Sequence, residues 1–348
     1  MKASAIVLIA TGLLLAATYA GAEDRLIHEG NQWLGHVSND GKKFTPCGGT
    51  ADDVQDGDKV QKNVSEKCDS TTAYQPPEFR YRALVQKYNA THDASIKLVF
   101  TNGAEPPITD PSEVHLVRGG SFPSTLSRES TLVPVAVDAV VPVYNVPGTT
   151  SLRFTQDVLA KIFIGKITQW NDPAIKGINP GAALPDLPIR AVRRGDDAST
   201  TKLFVAFLRG SALSATTVKT DDDVVGFLRE TPGALGYVDM MTAIRQGMVY
   251  GAVKNAHGTF VKASSATLVA ASESTIAGGT TLIGASAENA YPISAYAFAA
   301  VMRQDRGKSP SDDVTRWLID DGRHRAQQIG LTPVPEGVIE RMSASFNQ

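Results

Sequence analysis

The chain has 348 residues, of which 42% are hydrophobic and 20% charged, and its formal net charge is −2. This composition excludes collagen-like and disordered chains. The near-neutral charge excludes nucleic acid or an anionic membrane surface as the main partner, because both select for a strongly basic face. The length is sufficient for two globular lobes that each bury a core.

The first 22 residues have the pattern of a signal peptide. Lys2 gives a positive start, residues 5–17 are apolar, and residues 20–22 (Ala-Gly-Ala) match the small-x-small pattern of a cleavage site. The apolar run is shorter than the roughly 20 residues that a membrane-spanning helix needs. We therefore expect an exported protein, periplasmic or secreted, that is not embedded in the membrane.

Cys47 and Cys68 are the only two cysteines. In an oxidising compartment we expect them to form a disulfide, which in the chain-entropy model contributes roughly 3 kcal/mol. The alternative is a catalytic thiol or a metal ligand, but no histidine stands at ligand spacing from either cysteine. No metal site is predicted.

The amino-terminal part begins with a polar segment and continues with a segment of helical hydrophobic periodicity. Residues 23–62 are rich in glycine and aspartate and predict a loop-rich extension. The next segment, residues 79–88, predicts a helix with Leu84, Val85 and Tyr88 on one face.

The middle of the chain alternates strands and helices. Strands are predicted at residues 96–100, 114–117 and 133–144, and the last is almost wholly apolar, as in a strand buried on both faces. Thr155 is predicted to cap a helix that runs to Phe163.

The carboxyl-terminal half continues this alternation, which predicts an α/β fold with mostly parallel sheets. A strand at 189–192 leads through a polar loop into a helix from Ser199 to Leu208. The remaining predicted elements are strands at 235–238, 249–253, 260–262 and 293–301 and helices at 312–328 and 336–346.

The polar loop before the Ser199 helix is the best candidate for a binding site. The first turn of a helix carries unpaired N–H groups and about half a positive charge, which suits an anion. Arg194 adds a forked cation, and Ser199 and Thr200 add hydroxyl donors. The alternative is a capping motif, with Asp197 or Ser199 as N-cap and the arginines on a solvated loop.

The sequence favours binding over catalysis. Residues 199–202 match the S-x-x-K of serine acyltransferases, but the S-D-N and K-T-G elements that accompany it are absent. Asp221, Asp222 and Asp223 are predicted to open a helix rather than hold a metal, since carboxylates stabilise its positive end. We recognise no nucleophile–base pair and therefore predict no enzyme and no cofactor.

From about residue 133 onwards the sequence resembles the phosphate-binding proteins of bacterial phosphate ABC transporters. This resemblance implies a periplasmic binding protein-like class II fold, in which two α/β lobes close about a hinge over a dehydrated oxyanion and deliver it to an ABC permease. The lobes would be residues 63–137 with 289–348, and residues 138–288. The matching stretches are residues 140–145, 159–167, 170–175, 179–181, 233–238, 291–293 and 330–335.

The resemblance also assigns roles in the loop that begins at Arg194. The family's loop usually reads R-S-D-G-S-G-T-T, so Arg194 matches its phosphate-clasping arginine, Asp196 the supporting aspartate and Thr200 a threonine donor. Ala198 stands at a ligand-binding serine. Ser199 replaces a glycine and is expected to restore that hydroxyl from a shifted position.

The amino-terminal half contains further candidate ligand-binding residues, in segments that match the family's motifs only in part. Gly103 and Ala104 match a G-S-S-G strand end, and Thr72 lies in the nearest counterpart of a G-x-G-A-T-F-P loop. Ser121 belongs to a segment similar to F-G-A-S-D-A-P, with Phe122 at the cleft aspartate. Because phenylalanine cannot accept the proton of a bound anion, leaving that proton unpaired would cost roughly 1–3 kcal/mol.

Two functions remain open. The first is a solute-binding protein for phosphate or a related oxyanion, in which Asp197 either replaces the missing proton acceptor or repels the anion. The second is a degenerate family member that no longer binds phosphate and acts as a secreted interaction module, with residues 23–62 as its partner surface.

Overall fold

The computed structural model describes residues 24–29, 32–38, 44–46, 77–101, 108, 110–119, 130–195, 198–275, 279–302, 310–328 and 330–346. The chain divides into two compact units, Met1–Tyr74 and Gln75–Gln348. The predicted signal peptide and both cysteines, Cys47 and Cys68, lie outside the described residues.

The first unit contains a three-stranded antiparallel sheet. Its strands, in spatial order, are β1 (Asp24–Glu29), β2 (Gln32–Ser38) and β3 (Phe44–Pro46). The loop-rich extension expected at residues 23–62 therefore also contains three strands. The Gly30-Asn31 pair between two runs of β-prone residues is typical of a β-hairpin. Those runs alternate only weakly between apolar and polar residues, so the sequence alone did not predict the strands.

The strands of the second unit form two sheets. They are β4 (Lys97–Thr101), β5 (Glu113–Arg118), β6 (Ser130–Tyr144), β7 (Arg153–Phe154), β8 (Arg190–Arg194), β9 (Thr216–Val218), β10 (Ala234–Asp239), β11 (Ala252–Lys254), β12 (Phe260–Val261), β13 (Ser294–Met302) and β14 (Thr332–Pro333). The large sheet has the order β4-β5-β13-β6-β10-β8-β9, with β14 on β6, and the small sheet has the order β12-β11-β7.

The α/β class is confirmed, but the large sheet is mixed rather than mostly parallel. Parallel pairs (β4–β5, β10–β8 and β8–β9) lie at its two sides. In its middle β13 runs antiparallel to β5 and β6, and β6 runs antiparallel to β10 and β14. Hydrophobic pattern identifies a buried strand but carries no information on its direction, which is why the expectation failed.

The long strand β6 joins the two sides of the large sheet. Its residues 130–139 pair with β13, and its residues 140–144 pair with β10. The boundary between lobes expected at residues 137 and 138 falls inside this strand. The assignment of lobes stays a prediction.

The second unit has helices at every position where the sequence predicts one. They are α1 (Pro77–His92), α2 (Gln156–Phe163), α3 (Pro173–Ile178), α4 (Ser199–Phe207), α5 (Asp221–Glu230), α6 (Met240–Arg245), α7 (Ser265–Glu273), α8 (Pro310–Ile319), α9 (Asp321–Gln328) and α10 (Glu336–Phe346). Thr155 caps α2 as predicted, because its hydroxyl accepts the Val158 N–H at 3.1 Å. The single helix expected at 312–328 is two helices, α8 and α9.

A buried aromatic cluster packs the small sheet against the large one. The rings of Tyr144, Phe154 and Trp170 have centroids 6.0–6.5 Å apart. The indole N–H of Trp170 donates to the carbonyl of Gly233 at 2.9 Å, which fixes the chain immediately before β10. The polar group of the largest buried side chain is thereby satisfied.

The residue after β5 must be glycine. A Cβ on Gly119 would lie 2.2 Å from the carbonyl oxygen of Thr280 and 2.6 Å from Cβ of Ala295. We expect Gly119→Ala to lower the free energy of unfolding by about 2 kcal/mol, because backbone atoms must move. Gly226→Ala is the matched control in α5, where a Cβ meets nothing within 4 Å, and it should raise stability by about 1 kcal/mol. Urea unfolding of both variants measures this, and equal effects would contradict the crowding.

Candidate functional site

Strand β8 and helix α4 form the candidate site, and the N-cap of α4 is Ala198. Its methyl side chain makes no hydrogen bond to the helix. The capping alternative, which named Asp197 or Ser199, is therefore wrong, because Ser199 is already the first helical residue. The first N–H groups of a helix have no acceptor within it, and here no side chain of the N-cap supplies one. This turn keeps its capacity for an anion.

The hydroxyl groups at this turn have different environments. Ser199, Thr200 and Thr201 are all buried. The hydroxyl of Tyr237 donates to Oγ1 of Thr201 at 3.1 Å, so Thr201 serves the packing of α4 on β10. Oγ1 of Thr200 has no hydrogen-bond partner among the residues that the structure describes. A buried hydroxyl without a partner costs about 1–3 kcal/mol, which a ligand at this position would recover.

Aromatic stacking holds α4 in place. The ring of Phe204 stacks on Tyr237 of β10 with centroids 4.2 Å apart, and Phe163 of α2 contacts Phe204 edge-on at 5.1 Å. All three rings are fully buried. These contacts hold α4 against β10 and α2.

Arg194, the last residue of β8, points inward and forms an ion pair. Its Nη1 lies 3.3 Å from Oδ2 of Asp221, and the two side chains are 18% and 8% exposed. This geometry excludes the solvated-loop alternative for Arg194. Asp221 begins α5, as predicted for the aspartate run, and Thr220 and Asp223 cap that helix reciprocally.

A second ion pair lies across strand β13. Nε of Arg118, at the end of β5, is 2.9 Å from Oδ2 of Asp138 on β6, and each side chain is less than a fifth exposed. Ala297 pairs with Arg118, and Ala295 pairs with Asp138, so only methyl groups of β13 stand between the two. The hydroxyl of Tyr81 donates to Oδ1 of Asp138 at 3.4 Å.

The two ion pairs belong to one buried charge cluster, which we define as Arg118, Asp138, Arg194, Asp221 and Asp239. The pKa of Asp221 is raised to about 7, chiefly by burial and also by the nearby Asp239, while Arg194 and Arg118 oppose the rise. Burial likewise raises the pKa of Asp138, against the effect of Arg118. The carboxylate of Asp239 accepts the Thr242 N–H at 2.9 Å and caps α6. Three carboxyl groups therefore share two arginines.

Of two cavities, one borders the charge cluster and the other does not. One of about 10 Å³, roughly the room for a single water molecule, is lined by residues that include Asp138, Asp239 and Thr332. A larger one of about 370 Å³ lies beside Arg190 and Thr216. Arg190 is at the opposite end of β8 from Arg194, so the larger cavity is not the candidate site.

The structure describes three of the predicted ligand residues, and it brings Arg194, Ser199 and Thr200 to the β8–α4 junction. The other six lie outside the described residues: Thr72, Gly103, Ala104, Ser121, Asp196 and Asp197. In the described ranges no helix is long and apolar enough to cross a membrane, and no group of three His, Cys, Asp or Glu side chains is placed to hold a metal.

Sequence reasoning missed four residues of the charge cluster: Arg118, Asp138, Asp221 and Asp239. Asp138 carried a signal, because it is the one charged residue in the apolar run 133–144. A charge inside a strand buried on both faces requires a buried partner. That partner, Arg118, is distant in sequence, and no pattern indicated it.

Sequence comparison with known proteins identifies the family to which this chain belongs. The sequence model of the PBP superfamily domain matches residues 118–318, more than half of the chain. The phosphate-binding protein PstS of Xylella fastidiosa (strain Temecula1) is 30% identical over an alignment of 271 positions, which covers 70% of this chain and 70% of the relative. The chain belongs to the PstS family of the PBP superfamily.

A second PstS protein and a solved structure agree with this membership. PstS of Methanocaldococcus jannaschii is 28% identical over 333 residues, covering 78% of this chain and 83% of the relative. A phosphate ABC transporter substrate-binding protein from Clostridium perfringens, solved with bound phosphate, superposes with a TM-score of 0.53 at 16% identity, covering 74% of this chain and 95% of that one. This likeness supports the fold. All five residues of the charge cluster lie within the PBP superfamily match.

Proposed function

We propose that this PstS-family chain is an extracytoplasmic solute-binding protein that takes phosphate or a related oxyanion and delivers it to an ABC permease. The observation that carries the proposal is the start of α4, where the N-cap Ala198 offers no capping side chain, the buried Thr200 hydroxyl has no partner among the described residues, and Arg194 ends the preceding strand. The relatives named above are phosphate-binding proteins, not enzymes.

The geometry suits an oxyanion for electrostatic reasons. The N–H groups at the start of α4, which the Ala198 side chain leaves without a cap, and the Thr200 hydroxyl can donate hydrogen bonds to several oxygens, and Arg194 offers positive charge. Hydrogen bonds to a charged group are worth about 1.5–3 kcal/mol each, which offsets part of the cost of dehydrating the anion. Closure of residues 63–137 with 289–348 onto residues 138–288 would complete that dehydration.

A second function is favoured by one specific observation. Arg194 already has the carboxylate of Asp221 as its counter-ion, and the cluster holds more carboxyl groups than arginines. Such a site repels an anion while all its carboxyl groups are ionised. This supports the degenerate family member that acts as a secreted interaction module.

Calorimetric titration of the full chain at pH 7 with phosphate, and separately with sulfate, distinguishes the two functions. We expect heat of binding with phosphate. Absence of heat from both anions at millimolar concentration would contradict solute binding and favour the interaction module.

Thr200→Val tests the site itself, because it removes the hydroxyl and preserves the shape of the side chain. We expect phosphate affinity to fall about tenfold, the effect of one hydrogen bond worth about 1.4 kcal/mol. The matched control is Thr216→Val, at an exposed position of β9, which should bind as the parent does. Equal affinity of both variants would place the ligand elsewhere.

A further inference from the structure

The side chain of Asp221 has one oxygen engaged and one not. Oδ2 pairs with Nη1 of Arg194 at 3.3 Å, while Oδ1 is buried with no hydrogen-bond partner in the described part of the chain. The side chain is 8% exposed. A carboxylate buried in this way is costly when ionised and inexpensive when protonated.

The groups that face Asp221 come from every element packed around it. Strand β8 contributes Arg194, and strand β10 contributes Tyr237 and Asp239. Arg118 of β5 acts on it through space. The charged neighbours on its own helix are Asp222 and Asp223, and Asp223 is committed to the capping of α5.

The arginine that Asp221 neutralises is the one that an oxyanion would require. Arg194 is also the only described residue of the predicted ligand set that carries a charge, so its charge cannot serve both partners at once. When Asp221 is ionised, an incoming anion meets a carboxylate already in contact with the guanidinium.

We propose that Asp221 is an internal counter-ion that a bound oxyanion displaces from Arg194, so that binding of the anion is coupled to uptake of one proton by Asp221. This inference rests on the proposed function and names the regulation of the same site. Burial, which raises the pKa of Asp221 to about 7, allows the exchange to occur near neutral pH.

The coupling has a defined sign. Above pH 7 the free protein carries ionised Asp221, and the anion must bring a proton with it, so affinity falls by up to tenfold for each further pH unit. Below pH 7 Asp221 is already protonated, and affinity no longer depends on this group. Phosphate itself titrates in this range, and comparison with a variant cancels that contribution.

The test compares phosphate affinity of the parent chain and of Asp221→Asn by calorimetry at pH 6 and pH 8.5. We expect similar affinities at pH 6 and at least tenfold tighter binding by the variant at pH 8.5. The matched control is Glu230→Gln, which removes one carboxylate from the exposed end of α5 and should follow the parent at both pH values.

The outcomes separate this inference from the proposed function. Binding by the variant alone, or a ratio of affinities that grows with pH, supports the displacement. Binding by both chains with a constant ratio overturns the inference and leaves the proposed function intact. Binding by neither chain contradicts both.

A second measurement does not depend on the variant. Carbon-13 carboxyl NMR of the full chain should show the pKa of Asp221 rising by more than one unit when phosphate is added. An unchanged pKa in the presence of bound phosphate would overturn the coupling.

Discussion

Arg118→Met is expected to lower the free energy of unfolding by about 3 kcal/mol at pH 7.5. The substitution leaves Asp138, Asp221 and Asp239 with Arg194 as the remaining cluster cation. Removing one partner of a buried ion pair costs about 3–5 kcal/mol, because the other charge stays buried without compensation. The expected loss is at the lower end of this range because the side chains of Arg118 and Asp138 are still 17% and 19% exposed to solvent.

Asp138→Asn should cost much less than Arg118→Met. Without the Asp138 charge, two arginines face two carboxyl groups, and Arg118 keeps Asp221 within its electrostatic reach. Urea unfolding of both single variants and of the double variant measures the asymmetry, and the double variant should be more stable than Arg118→Met alone. Equal losses in the two single variants would show that the pair acts in isolation rather than as part of the cluster.

This asymmetry bears on both candidate functions. A cluster with more carboxyl groups than arginines holds at least one proton readily near neutral pH, since burial raises the pKa of both Asp138 and Asp221. With one of the three carboxyl groups protonated, the two arginines balance the two remaining carboxylates, and the cluster no longer repels an anion. In the fully ionised form it repels one, so the protonation state decides which function the same residues favour.

Much of the order of elements was predictable because hydrophobic spacing reports burial directly. The apolar residues Leu203, Phe204 and Phe207 recur with helical spacing, and they form the buried face of α4. Helix α2 was located by its cap and its apolar spacing together. Strand direction was not predictable, because β6 and β13 have the same apolar pattern whichever way they run.

The candidate site was predictable only in its local part. Arg194, Ser199 and Thr200 are close in sequence, and the geometry of a helix start brings such residues together. The partner of Arg194 is Asp221, which follows two further elements, and it looked like an ordinary charge at the start of a helix. Its burial depends on the packing of α5 against β8 and β10, which no local pattern expresses.

The stability of the folded protein should also depend on Asp221 through pH. Burial raises its pKa to about 7, whereas the unfolded chain has the ordinary aspartate pKa of about 4. Between these values the folded state keeps a proton that the unfolded state has lost, so this group's contribution to stability is complete below pH 4 and is lost as the pH rises to 7.

Asp221→Asn should remove that loss, because the amide resembles the protonated carboxyl group in shape and charge. Between pH 5 and pH 7 the free energy of unfolding of the parent should fall by about 1.4 kcal/mol per pH unit through this group. The difference in free energy of unfolding between variant and parent, measured in urea, should therefore be about 3 kcal/mol more in favour of the variant at pH 8 than at pH 5. Asp110 provides an internal contrast, because hydrogen bonds from Ser112 and Lys97 lower its pKa to about 2 and its contribution is lost only at acid pH. A stability difference between variant and parent that stays constant from pH 5 to pH 8 would show that Asp221 is ionised throughout and that Arg194 is permanently neutralised.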